Sequence, residues 1–279
     1  MRNFLIILMI VLALGTTFFI KKEQSQGNSA EMTRRIDNIE LTVDSSQTTI
    51  IAEKRDNVKA ELDGKGNLTV RTSGNTIEVE MKRKWYQWFS VLKHSNLTVY
   101  IPEDYNRNLE LNVGSGDVTF SGQSNSRPMK LNNMSIDMSS GDVKLANLET
   151  DSFEHDASSG KLTIDSLTTK KGMFDLSSGD VKLTRYVGPL DGELSSGDMH
   201  VEMEKLVGDV RMDLSSGDVK LDLPDKADFT LKGKMSSGDI SCDFPLKDQK
   251  IDSGDISGTH GSGKYNIDVS LSSGEMKIY

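Results

Sequence analysis

The chain is short of the residues that build most kinds of site. Its 279 residues hold one cysteine, Cys242, which excludes a disulfide framework and any zinc or iron–sulfur centre made from several thiolates. The four histidines, His94, His155, His200 and His260, share no ligand spacing. Aromatics are few, with 9 Phe, 6 Tyr and 2 Trp, so a core has to come from smaller aliphatic side chains. Positive charge is in deficit: 33 Lys and Arg stand against 42 Asp and Glu, a formal charge of −9. That balance argues against nucleic acid as the main partner, because phosphate binding needs clustered Lys and Arg. No G-x-S-x-G elbow, phosphate loop or dinucleotide fingerprint is present.

Long apolar runs are also scarce, with one exception. Phe4 to Ile20 is interrupted only by Gly15, Thr16 and Thr17, with Arg2 before it and Lys21 and Lys22 after it. As a helix it spans ~26 Å, a short membrane crossing. A cleaved signal peptide is the rival reading, with an apolar region of about 7–15 residues. Cutting after Ala13-Leu14-Gly15 would leave the apolar stump 16–20 as the new terminus, so residues 1–22 read as an uncleaved signal anchor. Lys21 and Lys22 oppose the positive-inside rule, but long domains cross largely regardless of charge. The remainder is expected outside the cytoplasm, and residues 23–35 read as a polar linker.

What the sequence has in abundance is one motif: apolar, Ser, Ser, Gly, Asp, apolar, any residue, apolar. Its glycine falls at 116, 141, 160, 179, 197, 217, 238, 254 and 274, a period near 20. Three residues before the glycine stand Val113, Met138, Ala157, Leu176, Leu194, Leu214, Met235, Ile251 and Leu271. Two after it stand Val118, Val143, Leu162, Val181, Met199, Val219, Ile240, Ile256 and Met276. Polar residues alternate with these, the pattern of strands with one buried face. An antiparallel meander with a hairpin at each Ser-Gly is one reading. A parallel β-solenoid with one coil per repeat fits better, because the motif recurs once per period and its rows keep their size class. Cys242 falls in an apolar row and is expected to be buried.

The acidic residue after each glycine has a buried neighbour and therefore points outward. That predicts an exposed acidic ladder: Asp117, Asp142, Asp180, Asp198, Asp218, Asp239, Asp255 and Glu275, interrupted by Lys161. Two residues further on lies a row containing Lys144, Lys182, His200, Lys220 and Lys277, which relieves the repulsion. The ladder is not a calcium site by composition, since calcium takes about six to eight oxygens and each coil supplies one carboxylate.

Residues 36–111 also alternate as strands and read as a β-rich cap or as first, irregular coils. They contain a basic-aromatic stretch in which Lys82, Arg83, Lys84, Trp85, Tyr86, Trp88 and Phe89 suit a lipid headgroup zone; a plain loop is the other reading. Residues 112–279 are the repeat proper. The last coil ends at Tyr279 with nothing after it, so an open edge for self-association is expected there. The acidity belongs to the repeats: residues 1–111 carry 15 basic and 14 acidic groups, residues 112–279 carry 18 and 28.

The segment Asn96–Pro102 (NLTVYIP), then Leu109–Val118 (LELNVGSGDV), then the Ser-Ser-Gly-Asp repeats, resembles the putative-adhesin family of bacterial envelope proteins. With the anchor and the basic-aromatic insert, it is most similar to the LiaG-type members. The resemblance implies a β-solenoid at the surface of a Gram-positive bacterium, encoded with envelope stress-response components, and brings no catalytic residues.

Together these readings predict an all-β parallel solenoid with a β-rich N-terminal cap and one N-terminal transmembrane helix. The protein is expected in the cell membrane as a single-pass, non-enzymatic scaffold without cofactor or metal, its partner an envelope protein or wall polymer. A β-helix enzyme acting on wall polysaccharide is the alternative, and a cytoplasm-facing sensor a third reading. The acids near Asp151, Glu154 and Asp156, and Glu202 with Glu204, read as solvated, and His155 as a surface or hydrogen-bonded side chain.

Overall fold

The computed structural model describes residues 28–82, 95–252 and 254–279. The expected membrane segment lies outside these residues, as does 83–94. Every named element among the described residues is a strand, and no helix there is long and apolar enough to cross a membrane.

Each motif except that of Gly254 joins the two arms of one coil. The strand before the glycine stacks in one parallel ladder, here the entry ladder. The strand after it stacks in a second, the exit ladder. The entry ladder runs through Thr76–Lys82, Asn38–Val43, Asn108–Val113, Met129–Met138 and 153–157. It continues through Gly172–Leu176, Leu190–Leu194, Val210–Leu214, Tyr265–Leu271 and Phe229–Met235. The exit ladder runs from Asn96–Pro102 and Gln47–Glu53 through Asp117–Ser121 and the arms at 142, 161, 180, 198 and 218, to Glu275–Ile278 and Asp239–Cys242. Ten levels at ~4.8 Å make a rod of about 43 Å.

The arms form because Val, Leu, Ile and Met occupy every second position and all point inward. Leu162, Ile164 and Leu167 of one coil are each no more than 1% exposed. Each such side chain contributes ~1.5–3 kcal/mol on burial, and a lone coil has nothing to bury it against, so stacking supplies the stability. In the middle coils a third short face, 129–131, 148–150, 167–169 and 186–187, closes the section. Its corner is turned by one residue per coil in the left-handed region, Asn147 at φ 55°, Ser166 at 69° and Arg185 at 51°.

The turn itself is a column of glycines. Gly141, Gly160, Gly179, Gly197, Gly217, Gly274 and Gly238 have φ between 102° and 112°. A Cβ on any of them would lie 2.0–2.4 Å from the carbonyl oxygen of the glycine one level back. Glycine is therefore required twice, by the dihedral and by the stacking distance. The following amide crosses to the same oxygen, as in Asp180 N to Gly160 O at 2.9 Å. The serine hydroxyls bond across coils as well: Ser159 Oγ donates to Ser139 O at 3.2 Å.

Three features depart from the sequence reading. First, the column begins one level earlier than the motif: Ser46 sits beneath Gly116, and Gln47 pairs with Asp117, so Val43-Asp44-Ser45-Ser46-Gln47 is a repeat without its glycine. Second, the eighth motif does not stack. Gly254 lies between Lys247–Asp252 and Asp255–His260, an antiparallel pair that closes the C-terminal end, and Ile251 is 71% exposed rather than buried. One meander-type hairpin thus terminates a solenoid, because an antiparallel arm breaks the repeat and offers no further template. Third, the coils leave sequence order at both ends. Asn38–Val43 lies inside Thr76–Lys82, and Tyr265–Leu271 lies inside Phe229–Met235. The last coil is therefore covered on both sides and is not the open edge its position in the sequence suggests. At the N-terminal end, Asn57–Asp63 and Asn67–Ser73 add antiparallel strands, and Ser29–Glu31 pairs with Asn57–Lys59.

Candidate functional site

The expected acidic ladder maps onto the exit ladder. Asp117, Asp142, Lys161, Asp180, Asp198, Asp218, Glu275 and Asp239 stack in register and all are exposed. Asp255 is also exposed but belongs to the terminal hairpin, where its Oδ1 accepts from Met235 N at 3.3 Å. Beside this row run Thr49, Thr119, Lys144, Thr163, Lys182, His200, Lys220 and Lys277. The face alternates acid with base and hydroxyl and carries no concentrated charge.

The concentrated charge lies on the entry ladder, where the sequence reading did not look. Four residues before each glycine, Asp137, Asp156, Asp175, Glu193 and Asp213 stack on consecutive levels. Two residues earlier, the parallel row holds Glu78, Glu40, Glu110, Ser135, Glu154, Met173, Asp191 and Arg211. Alternation fixes their direction, because Leu111, Met138, Ala157, Leu176 and Leu194 between or beside them are buried. The two rows border a groove of about 450 Å³ whose lining includes seven carboxylates and no Lys or Arg. Asp137, Asp156 and Asp175 have no ion-pair partner among the described residues. At the N-terminal end of the row, burial first, and then the like charges of Glu110 and Glu78, push the Glu40 carboxyl above its ordinary range. Reading the repeat two and four positions further upstream would have found both rows; the conspicuous Ser-Ser-Gly-Asp string drew attention downstream.

The groove's carboxylates line up along the rod, one or two per level, and do not converge. Among the described residues no group of three or more His, Cys, Asp or Glu is placed to hold a metal ion. Met173 gives the groove one half-exposed apolar contact. Behind it, His155 faces the core between Ile136 and Phe174, 2% exposed, with neither ring nitrogen hydrogen-bonded. This is neither the surface nor the hydrogen-bonded histidine expected. Burial lowers its pKa to about 4, so it is a neutral core side chain. Cys242 is half-buried at the outermost exit strand, with its thiol pKa raised, chiefly by burial.

Of the expected membrane-interface residues only Lys82 is described, paired with Glu80; Arg83, Lys84, Trp85, Tyr86, Trp88 and Phe89 lie outside the described residues. Met81 aligns with Val43 and Asn96 with Gln47, so the described strands that flank 83–94 belong to the outermost level at the N-terminal end.

Comparison with known families matches residues 36–279 to the model described as Toastrack DUF4097. A solved structure of a putative cell adhesion protein from Clostridium sporogenes ATCC 15579 is similar at 11% identity, covering 92% of this chain and 99% of that one, with a TM-score of 0.28. Comparison with curated proteins finds no match.

Proposed function

We infer, for a chain that belongs to the Toastrack DUF4097 family, a non-enzymatic interaction module that presents charged sheet faces from a rigid rod. The observation that carries this is the entry-ladder groove: its carboxylates repeat with the coils instead of meeting at one point. A row of carboxylates repeating at ~4.8 Å suits a partner with spaced positive charges. The proposed partner is a cationic segment of an envelope protein or a wall polymer bearing amines.

The setting we propose is the bacterial envelope. Residues 1–22 anchor the chain as a single-pass segment, with the rod outside the cytoplasm and a role linked to envelope stress, as for LiaG-type proteins. Ser29–Glu31 and the Lys82–Ser95 insertion point belong to the same end of the rod. An anchor and a basic-aromatic insert at one end would leave the acidic face running away from an anionic membrane. Vesicle binding that is lost in Trp85→Ser/Trp88→Ser tests the insert, and protease accessibility in intact cells tests the orientation.

The display reading predicts retention of the chain on an amine-bearing wall fraction. Retention falls as salt rises and is lost in Asp137→Asn/Asp156→Asn/Asp175→Asn without a change in circular dichroism. Retention indifferent to those substitutions would refute it. The groove also supports a second reading, a wall-polysaccharide-active enzyme. Release of reducing ends from wall glycan, abolished by the same substitutions, would establish that instead.

A further inference from the structure

The C-terminal coils are threaded out of order, and the slot this creates is generic. Tyr265–Leu271 and Glu275–Ile278 lie between the coil of Gly217 and the coil of Gly238. Leu214 pairs with Leu271, Val219 with Met276 and Leu221 with Ile278. On the far side the same residues meet Met235, Ile240 and Cys242. Each row offers an aliphatic or thiol side chain of similar size, and the glycine column continues from Gly217 through either Gly274 or Gly238. The two walls of the slot are thus complementary to each other as well as to the coil between them. Removing the inserted coil leaves walls that can close, and frees a coil with two unsatisfied edges.

The hinge of that coil is short. Residues 261–264 carry the chain from Asp255–His260 across Phe229–Met235 to Tyr265–Leu271. Gly261 and Gly263 stand at φ 72° and 77°. One carboxylate latches the turn: Asp228 accepts from Ser262 N at 2.8 Å, from Ser262 Oγ at 2.6 Å and from Lys264 N at 2.9 Å. A tight hinge beside an element whose contacts are equally available on an identical chain is the arrangement from which reciprocal exchange arises.

We propose that the coil 265–279 exchanges between two copies of the chain, each inserting it between the Gly217 and Gly238 coils of the other, to give a closed dimer. The Asp228 latch exists only with the turn folded back, so it favours the monomer, and an extended hinge forfeits it. The occupant is a second copy, because only the same motif supplies the glycine, the short turn and the three inward rows in register.

Asp239 and Glu275 are exposed register partners. In the full-length chain, kept in mild detergent, Asp239→Cys/Glu275→Cys in a Cys242→Ser background reports which chain fills the slot. Oxidation in dilute solution should give an intrachain disulfide. After a warm incubation at high concentration and re-dilution, oxidation should give an interchain disulfide with a doubled mass by light scattering. Asp228→Ala should raise the dimer fraction several-fold. An equal mixture of chains with tags of two sizes should give crosslinked hybrids. Crosslinks that stay intrachain while light scattering shows only monomer would overturn the proposal. So would dimers whose 239–275 crosslink remains within one chain, since those associate without exchange. If the cysteine pair impairs folding, the mass of the unsubstituted chain against that of Asp228→Ala after the same incubation decides: an unchanged monomer in both overturns it.

Discussion

A glycine inside a strand-turn-strand repeat is costly or cheap to replace according to what lies one level below it. Gly217 has φ 108°, and its missing Cβ would stand 2.0 Å from Gly197 O, a backbone atom that cannot move without shifting the coil. Gly254 carries the same motif, but its nearest obstacle is the flexible end of Met235 at 3.1 Å. Both pay the left-handed strain, about 1–2 kcal/mol, and only Gly217 pays the clash as well. Gly217→Ala should therefore lose more than ~2 kcal/mol beyond Gly254→Ala, read from urea midpoints of the two variants. His155 makes a second prediction at this scale. Its native pKa, about 4, lies below the ordinary 6.5, so between those values the unfolded chain binds a proton that the native chain refuses. Stability contributed by the neutral ring is complete above pH 6.5 and falls as pH drops toward 4, by about 3 kcal/mol in all. His155→Leu should flatten that part of the stability–pH curve. A variant whose acid sensitivity matches the parent would show that the histidine is not what titrates.

At the scale of the element, the outermost strands determine whether the rod stops. Lys247–Asp252 is the last strand beyond the entry ladder; all its residues are exposed, and a register shift separates Lys247 from Lys250 around Asp248 at φ 51°. Lysines and an irregularity on an edge are the devices that deter further strands from adding. Lys247→Val/Lys250→Val removes the edge charges beside the exposed Ile251 and should produce concentration-dependent aggregation by light scattering while the unfolding midpoint changes little. The strands themselves were legible in the sequence. The alternation read over 36–111 resolves into Asn38–Val43, Gln47–Glu53, Asn57–Asp63, Asn67–Ser73, Thr76–Lys82, Asn96–Pro102 and Asn108–Val113. Alternation is a local property, so one strand can be read alone. Whether its neighbour is parallel or antiparallel is not local, and Ile251 shows the consequence: its motif is intact, yet its partner strand runs the other way.

At the scale of the whole molecule, charge is laid out in lines. Asp137, Asp156, Asp175, Glu193 and Asp213 repel one another along the rod at ~4.8 Å, well inside a Debye length of about 10 Å in 0.1 M salt. Sodium chloride should therefore raise the melting temperature between low and physiological ionic strength, and Asp156→Asn/Asp175→Asn should reduce that gain. A melting temperature that falls with salt would mean that surface ion pairs such as Lys130–Glu149 outweigh the rows.

The sequence by itself determined the coil. A 20-residue period, alternation about a glycine, and small aliphatic rows favour a parallel stack over a meander, because each coil can bury its face only on a copy of itself. It also placed the downstream acidic row outward, since the neighbours of each acid had to face in. The upstream acidic rows were equally present in the repeat, four and six positions before the glycine. Tertiary structure alone decided the order of the coils, the hairpin that ends them and the level at which Ser46 stands in for the glycine. All three depend on which equivalent arm meets which. When nearly identical repeats compete for the same neighbour, local pattern cannot rank them, and the choice falls to the caps and hinges between them.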